Sequence, residues 1–208
     1  RVAAITDHDS IEGLEAAGLE DRRHAELELI RGVELGAVLP DPDGDVHMLG
    51  YFLNIDDPSF QNSLSTFREG RVKRAQGMVQ NLVRLGFEIE WERVVELAQG
   101  GAIARPHIAW ALVEKGYFQS IQEAFDQSLG DEGIAYVDRT KLTTDKAIDM
   151  IRSAGGVAVL AHPARYVSNL ETHLPALKRA GLAGMEVYYK DYDIEEVSWL
   201  QRLCYQYD

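Results

Sequence analysis

Gly156-Val157-Ala158-Val159-Leu160-Ala161-His162-Pro163 is a short apolar run that stops at a histidine and a proline. A valine-rich run of this length, bounded by glycine and proline, reads as a β-strand. Helical patterns flank it, over residues 144–154 before it and 170–180 after it. A second strand follows at 185–189, and a last helix starts near Ile194. Repeated strand–helix units of this length imply parallel strands with helices outside, hence the α/β class as a barrel or an open sheet. Ligand sites in such folds gather at the C-terminal ends of the strands, which marks His162 as a candidate site residue.

The opening of the chain has the same character. Residues 1–6 read as a short strand, and Asp9-x-x-Glu12 is a capping-box signature for a helix carrying Leu14 and Ala17. Residues 29–39 are strand-like, 40–45 (Pro-Asp-Pro-Asp-Gly-Asp) form a turn, and 46–53 read as another strand. Between these parts the pattern is helical without strands. Phe60, Leu64, Phe67, Ala75, Met78, Leu82 and Leu85 keep a 3.6-residue period up to a stop at Gly86, with Arg71 standing where the stripe expects an apolar residue. Further helices are expected over 91–98, over 106–115 with proline in the first turn, and over 120–129, where Ser120-x-x-Glu123 is a second capping box. The expected organisation is therefore a first α/β part (1–58), a helical insertion domain (59–136) and a second α/β part (137–208).

Composition narrows the function. The 208 residues, 46% of them apolar, suffice for one substantial core or for a domain with a smaller insertion. No apolar run approaches the roughly 18 residues that span a bilayer, and the N-terminus lacks a signal-peptide pattern, so the expectation is a cytoplasmic protein with no membrane partner. Cys204 is the only cysteine, which excludes an internal disulfide and cysteine-rich zinc sites. A metal would have to be held by His, Asp and Glu. The net charge of −13 argues against stable binding to duplex nucleic acid but is compatible with an enzyme that handles phosphates through cations.

Candidate chemistry falls at strand ends: Thr6-Asp7-His8-Asp9, Glu34 in Gly32-Val33-Glu34, and His162-Pro163. A glutamate and two histidines brought to one sheet edge would suit a hard or borderline divalent ion. His47 is a fourth candidate with a geometric difficulty. In a tight hairpin across residues 40–45, Glu34 faces Tyr51 and lies roughly 13 Å along the strand from His47. Either the loop is wider or the two strands do not pair directly. Taken singly, each histidine reads first as a hydrogen-bonded structural residue rather than a ligand, and Asp9 reads first as a helix cap.

Five motifs in order carry a resemblance: Ile5-Thr6-Asp7-His8-Asp9-Ser10-x-x-Gly13, Gly32-Val33-Glu34, Val46-His47-Met48-Leu49-Gly50-Tyr51, Ala104-Arg105-Pro106-His107-Ile108-Ala109 and Ala161-His162-Pro163. Over essentially the whole chain the sequence resembles the PHP (polymerase and histidinol phosphatase) family of metal-dependent phosphoesterases, in its nucleoside 3′,5′-bisphosphate phosphatase and 5′–3′ exoribonuclease subgroup. The resemblance implies a distorted (β/α)7 barrel, incomplete here, with a helical insertion domain. It also implies up to three divalent ions in the complete protein, with manganese expected and iron, zinc or magnesium as alternatives. His8 would bind one metal, Glu34 would bridge two, and His47 and His162 would bind the metal sharing that bridge. Asp7 would orient its neighbours. Catalysis by metal-activated water would rest on Glu34, His8 and His162, and the implied wider loop would reconcile His47 with Glu34. The family's opening His-x-His and closing Asp-x-His motifs are absent, so the chain is expected to be a fragment or unable to assemble the full cluster alone.

The implied substrate is a nucleotide such as a nucleoside 3′,5′-bisphosphate, or the 5′ end of a short RNA. Arg68, Arg71, Lys73 and Arg74 concentrate four of 21 basic residues in seven positions, and guanidinium groups bind phosphate bidentately. Arg71, Arg74, Arg105, His107 and Arg165 are the expected substrate contacts, with Arg68 and Lys73 reading equally as a solvated helix face. Tyr117, Phe118 and Tyr136 are core residues or base-stacking platforms. Two rival readings are an amidohydrolase-type metallohydrolase, which calls for a metal-bridging lysine or another histidine spacing, and a truncated, non-catalytic PHP module.

Overall fold

The structure is a computed structural model that describes residues 1–14, 17, 26–40, 44–99, 101–130, 132–138, 142–165, 167 and 169–207. The chain divides into two compact units, Arg1–Leu64 with Lys141–Asp208, and Ser65–Thr140.

The first unit is built on a mixed sheet. Its strands are β1 (Val2–Ile5), β2 (Glu28–Val38), β3 (Asp45–Tyr51), β4 (Leu142–Thr143), β5 (Val157–Ala161) and β6 (Gly184–Met185). They lie in the order β1-β2-β3-β5-β6, with β4 also paired to β2. β1 and β4 are parallel to β2, β5 is parallel to β6, and β3 is antiparallel to both β2 and β5. The expectation of uniformly parallel strands is thus corrected at β3 alone. The link between β2 and β3 is too short for the crossover that parallel neighbours need, so it must be a hairpin.

That hairpin also corrects the expected register. Its ladder runs to Val38 opposite Asp45, and Leu39 N–H donates to the Gly44 carbonyl at 3.0 Å. Closure at 39–44 rather than at 40–45 moves the pairing by two residues, so Glu34 faces Leu49 and not Tyr51. The strands pair directly, and no wider loop is involved.

Period-2 alternation gives the sheet two unlike faces. Val33, Leu35, Ala37, Val46, Met48, Ala158 and Leu160 are buried on one of them. Against that face lies the helix Thr144–Ser153, whose Ala147, Ile148 and Ile151 are buried. Gly50 allows the close approach, because a Cβ there would stand 3.0 Å from Ile151 Cγ1. Helices Leu170–Ala180 and Ile194–Tyr207 begin where the sequence reading places them. The expected strand over 185–189 is shorter, since regular pairing ends at Met185 and Glu186 N–H makes one further bond, to the Leu160 carbonyl at 2.8 Å.

The helix expected after Asp9 is seen at Glu12, Gly13 and Leu14 and again at Ala17; the rest of it lies outside the described residues. Glu12 N–H donates to Ser10 Oγ at 3.2 Å. In the second unit no strand occurs among the described residues, only helices: Pro58–Arg84, which enters from the first unit, Trp91–Leu97, Arg105–Glu114 and Ile121–Ala124. The last runs on as a π-helical turn, Phe125–Leu129, where a continuous α-helix was expected. Ser120 Oγ accepts from Glu123 N–H at 3.1 Å, and the Glu123 carboxylate accepts from Gln119 N–H at 2.7 Å, one residue before the place a capping box uses. Met78, Leu82, Val94, Ile108, Leu112 and Leu129 centre this unit's core. Among the described residues, no helix is long and apolar enough to cross a membrane.

A Gly50→Val substitution forces branched methyls into the Ile151 contact, and overpacking of this kind costs about 1–3 kcal/mol. Urea unfolding should show that loss, whereas Gly70→Ala, where a Cβ meets nothing within 4 Å, should not destabilise.

Candidate metal centre

The other sheet face carries the polar side chains. The register sets Glu34 opposite Leu49 and Gly36 opposite His47, so Glu34 and His47 are diagonal neighbours on one face. Gly32, two residues before Glu34, allows the close approach of β1, because a Cβ there would stand 2.7 Å from Thr6 Cγ2. His8 follows β1 and forms an isolated parallel bridge to Glu34, while β3–β5 pairing sets His47 opposite Ala161, immediately before His162. Because β3 runs opposite to its neighbours, its N-terminal end lies beside the C-terminal end of β5. Glu34 itself sits within β2, not at a strand end as the sequence reading had it.

The four side chains converge. His47 Nδ1 lies 2.7 Å from Glu34 Oε1, His162 Nε2 lies 3.2 Å from the same oxygen, His47 Nδ1 and His162 Nε2 are 3.3 Å apart, and so are His8 Nε2 and His47 Nε2. They line a cleft of about 410 Å³ together with Thr6, Leu49, Tyr51, Ala161, Glu186 and Tyr189. Burial works against the charged form of the Glu34 carboxylate. Hydrogen bonds from His162 and His47, together with the charges of His47 and His8, outweigh it and hold the carboxyl well below the usual carboxylate range. Tyr51 moves the other way, its phenol pushed up first by burial and then by the nearby charges of Glu186 and Glu34.

His8, Glu34 and His47 each offer one ligand atom, all within 4.8 Å of one another. Nitrogen and oxygen donors of this kind suit a divalent ion, and His47 Nδ1, His162 Nε2 and Glu34 Oε1, 2.7 to 3.3 Å apart, approach the roughly 3.3 Å edge of a tetrahedral shell with metal–nitrogen bonds of about 2.0–2.1 Å. The donor set therefore fits a metal.

The neighbouring carboxylates make further contacts. Asp9, expected to cap a helix, sends Oδ1 to accept from the buried Gly36 N–H at 3.0 Å, and its Oδ2 lies 3.5 Å from His8 Nδ1. Asp7 is exposed, and its carboxylate occupies the space a Cβ at Gly13 would need. Glu186, Tyr189 and Tyr51 escaped the sequence reading. A carboxylate in the apolar run Gly184-Met185-Glu186-Val187 carries the same signal that singled out Glu34.

Of the expected substrate contacts, Arg165 is in the first unit, with Nη1 3.0 Å from Asp191 Oδ2 and its guanidinium over the ring of Tyr189. Arg68, Arg71, Lys73, Arg74, Arg105 and His107 belong to the second unit. There Arg74 Nε donates to the Val137 carbonyl at 2.7 Å beside the Tyr136 ring, and Arg105 Nη1 donates to the Leu129 carbonyl at 3.2 Å beside Phe125. His107 Nδ1 accepts from Ala104 N–H at 3.0 Å, which makes it a helix cap. Phe118 is buried in that unit's core, and Tyr117 Oη accepts from Glu88 N–H at 2.7 Å.

No family model matches the chain. It is 36% identical over 164 residues to the 5′–3′ exoribonuclease Rnm of Salmonella typhimurium, covering 78% of this chain and 55% of the relative. It is 29% identical over 199 residues to a 3′,5′-nucleoside bisphosphate phosphatase of Chromobacterium violaceum, covering 93% and 68%. Among solved structures it is similar to a candidate metal-dependent phosphoesterase from Bifidobacterium adolescentis, with a TM-score of 0.85, 30% identity and coverage of 99% and 73%. A structure from Chromobacterium violaceum described as an amidohydrolase gives a TM-score of 0.84 at 27% identity, with coverage of 95% and 70%. The chain spans about half the length of the exoribonuclease it matches.

Asp9→Ala leaves the buried Gly36 N–H without this acceptor, a loss worth about 1–3 kcal/mol. Asp9→Asn keeps an oxygen there and should lose less than half as much in denaturant unfolding.

Proposed function

Since the chain belongs to the PHP family of metal-dependent phosphoesterases, we propose that it supplies metal ligands to an enzyme that hydrolyses a phosphate ester of a nucleotide. The substrate is a nucleoside 3′,5′-bisphosphate or the 5′ end of a short RNA. The observation that carries this reading is the convergence of His8, His47 and His162 on the one carboxylate of Glu34. His8, Glu34, His47 and His162 are the proposed ligands, with Glu34 bridging, and manganese is the proposed ion. The complete protein would close the sheet into a distorted (β/α)7 barrel around up to three ions and carry the segment 59–136 as a helical insertion.

Divalent ions bound there supply Lewis acidity, polarising phosphoryl oxygens and making water nucleophilic near neutral pH. The chain's own residues prepare the site for them. The Glu34 carboxyl is held well below the usual carboxylate range, and Asp9, anchored on β2, steadies the His8 ring. Tyr51, whose phenol burial pushes up, lines the cleft and is a proposed hydrogen-bond donor to a phosphate oxygen. Arg165 lies beside Tyr189 at the cleft wall and is the proposed phosphate contact of this unit. Arg71, Arg74, Arg105 and His107 are proposed contacts from the helical unit. A backbone carbonyl and an aromatic ring orient the guanidinium forks of Arg74 and Arg105, and His107 has Nε2 to offer.

The amidohydrolase description of one structural neighbour favours a second reading, hydrolysis of an amide. That chemistry calls for a metal-bridging lysine, and no lysine lines the cleft among the described residues.

The full gene product, loaded with Mn²⁺, should release phosphate from a nucleoside 3′,5′-bisphosphate or shorten 5′-phosphorylated RNA, and should leave amide substrates intact. Glu34→Gln should lower kcat by at least ~100-fold with an unchanged circular dichroism spectrum. Near-parental rates at saturating Mn²⁺ would overturn the bridging role.

A further inference from the structure

The segment that follows β6 grips the turn that carries His162. That turn is strained: His162 has φ +29°, a region that a non-glycine residue adopts only at a conformational cost. Pro163 follows directly, and Pro163–Arg165 is a single 3-10 turn with Arg165 N–H donating to the His162 carbonyl at 3.2 Å. Strain of this kind persists only where surrounding contacts over-determine it.

Four contacts from residues 186–192 do so. His162 N–H donates to Glu186 Oε2 at 2.9 Å, and Ala164 N–H donates to Tyr192 Oη at 2.9 Å. The Tyr189 ring stands 5.4 Å from the His162 ring, and Asp191 pairs with Arg165 at 3.0 Å. Glu186 is fixed in turn, since its own N–H donates to the Leu160 carbonyl at 2.8 Å. Its backbone and its carboxylate therefore hold β5 on either side of Ala161.

The geometry points to Glu186 as a positioning residue for His162, acting as a hydrogen-bond acceptor for the strained peptide N–H, with Tyr192 as its helper at Ala164. An aliphatic side chain at 186 would release that N–H, let φ relax toward negative values and swing the imidazole away from Glu34 Oε1. This inference rests on the metal-site reading, because the value of placing His162 is the placing of a ligand. The bond to a peptide N–H separates the role from direct ligation. A metal-ligating carboxylate needs its charge, whereas an acceptor does not, so glutamine should replace Glu186 and leucine should not.

Two measurements on the full chain test it. In the metal-free protein, the ¹H–¹⁵N amide and imidazole resonances of His162 should shift or broaden in Glu186→Leu and stay near parental in Glu186→Gln, with those of His107 and His173 unmoved in both. In Mn²⁺ titrations followed by the electron paramagnetic resonance of the free ion, Glu186→Leu should bind roughly 10–100-fold more weakly. Glu186→Gln should fall within about 3-fold of the parent. Should Glu186→Leu fail to fold, Tyr192→Phe carries the same test, with the His162 resonances perturbed and Mn²⁺ bound about 3-fold more weakly. Unperturbed His162 resonances in Glu186→Leu and in Tyr192→Phe would overturn the inference, as would a Glu186→Gln variant as impaired as Glu186→Leu. A parent protein that takes up no Mn²⁺ while the metal-free resonances behave as expected would overturn the metal reading and leave the grip of Glu186 on His162 standing.

Discussion

The pairing of β2 with β3 in the register that places Glu34 opposite Leu49 is the constraint on which the rest of the site depends. A carboxylate on a half-buried sheet face is costly without partners. This register supplies them, because it sets Glu34 and His47 on the same face one step apart and brings Nδ1 to 2.7 Å from Oε1. Slipping the ladder by a single residue would turn one of the two side chains into the packed face beneath helix Thr144–Ser153. The opposing alternation of Val33, Leu35 and Ala37 forbids that slip, since it would drive the same apolar residues into the cleft. The core on one side of the sheet thus specifies the chemistry on the other, and β1 and β5 add His8 and His162 by pairing with the strands already in register.

Two of the four non-glycine residues with positive φ among the described residues lie in the loops that deliver the flanking histidines. Asp9 has φ +51° directly after His8, and His162 itself has φ +29°. In each loop a carboxylate accepts a peptide N–H: Asp9 takes that of Gly36 and Glu186 takes that of His162. The arrangement recurs for a physical reason. A histidine set on the last regular residue of a strand would point along the alternation of that strand, and reaching a common centre from two strands separated by β2 and β3 needs a turn out of it. At His162 positive φ makes that turn, and a hydrogen bond worth about 1 kcal/mol, or more when charge-assisted, offsets the conformational cost.

Much of this was legible in the residues. The strand at Val157–Ala161, the helix Leu170–Ala180, the start of the helix at Ile194 and the α/β class follow from periodicity and from glycine and proline punctuation. The hairpin register was not legible, because Pro40-Asp41-Pro42-Asp43-Gly44-Asp45 is made of turn-forming residues throughout and closure at 39–44 differs from closure at 40–45 by local energies too small to read. The direction of β3 follows from that same short connection once it is recognised as a hairpin. His8, Glu34, His47 and His162 could be named singly from strand ends and an out-of-place charge. Their convergence could not, as it depends on three ladders at once. Glu186 was hidden by being counted as a strand residue, where alternation alone says nothing of a carboxylate that reaches back along a neighbouring strand to a peptide N–H.

The carboxylates around the cleft divide their work by what they face. Asp9 and Glu186 each accept a peptide N–H, and Asp9 also lies 3.5 Å from the His8 ring, so both fix the loops that carry His8 and His162. Glu34 is turned toward imidazole nitrogens on His47 and His162, with His8 close by. An anion that accepts hydrogen bonds from His47 and His162, with a third imidazole close by, is also placed to share a cation with their ring nitrogens. In a chain of net charge −13 a cation there is also favoured over distance, since the field of the whole molecule draws cations toward its clefts. The same field works against the phosphate ester proposed as substrate, and cations held in the cleft would offset it. The guanidinium of Arg165, tethered to Asp191 beside Tyr189, would add attraction at close range.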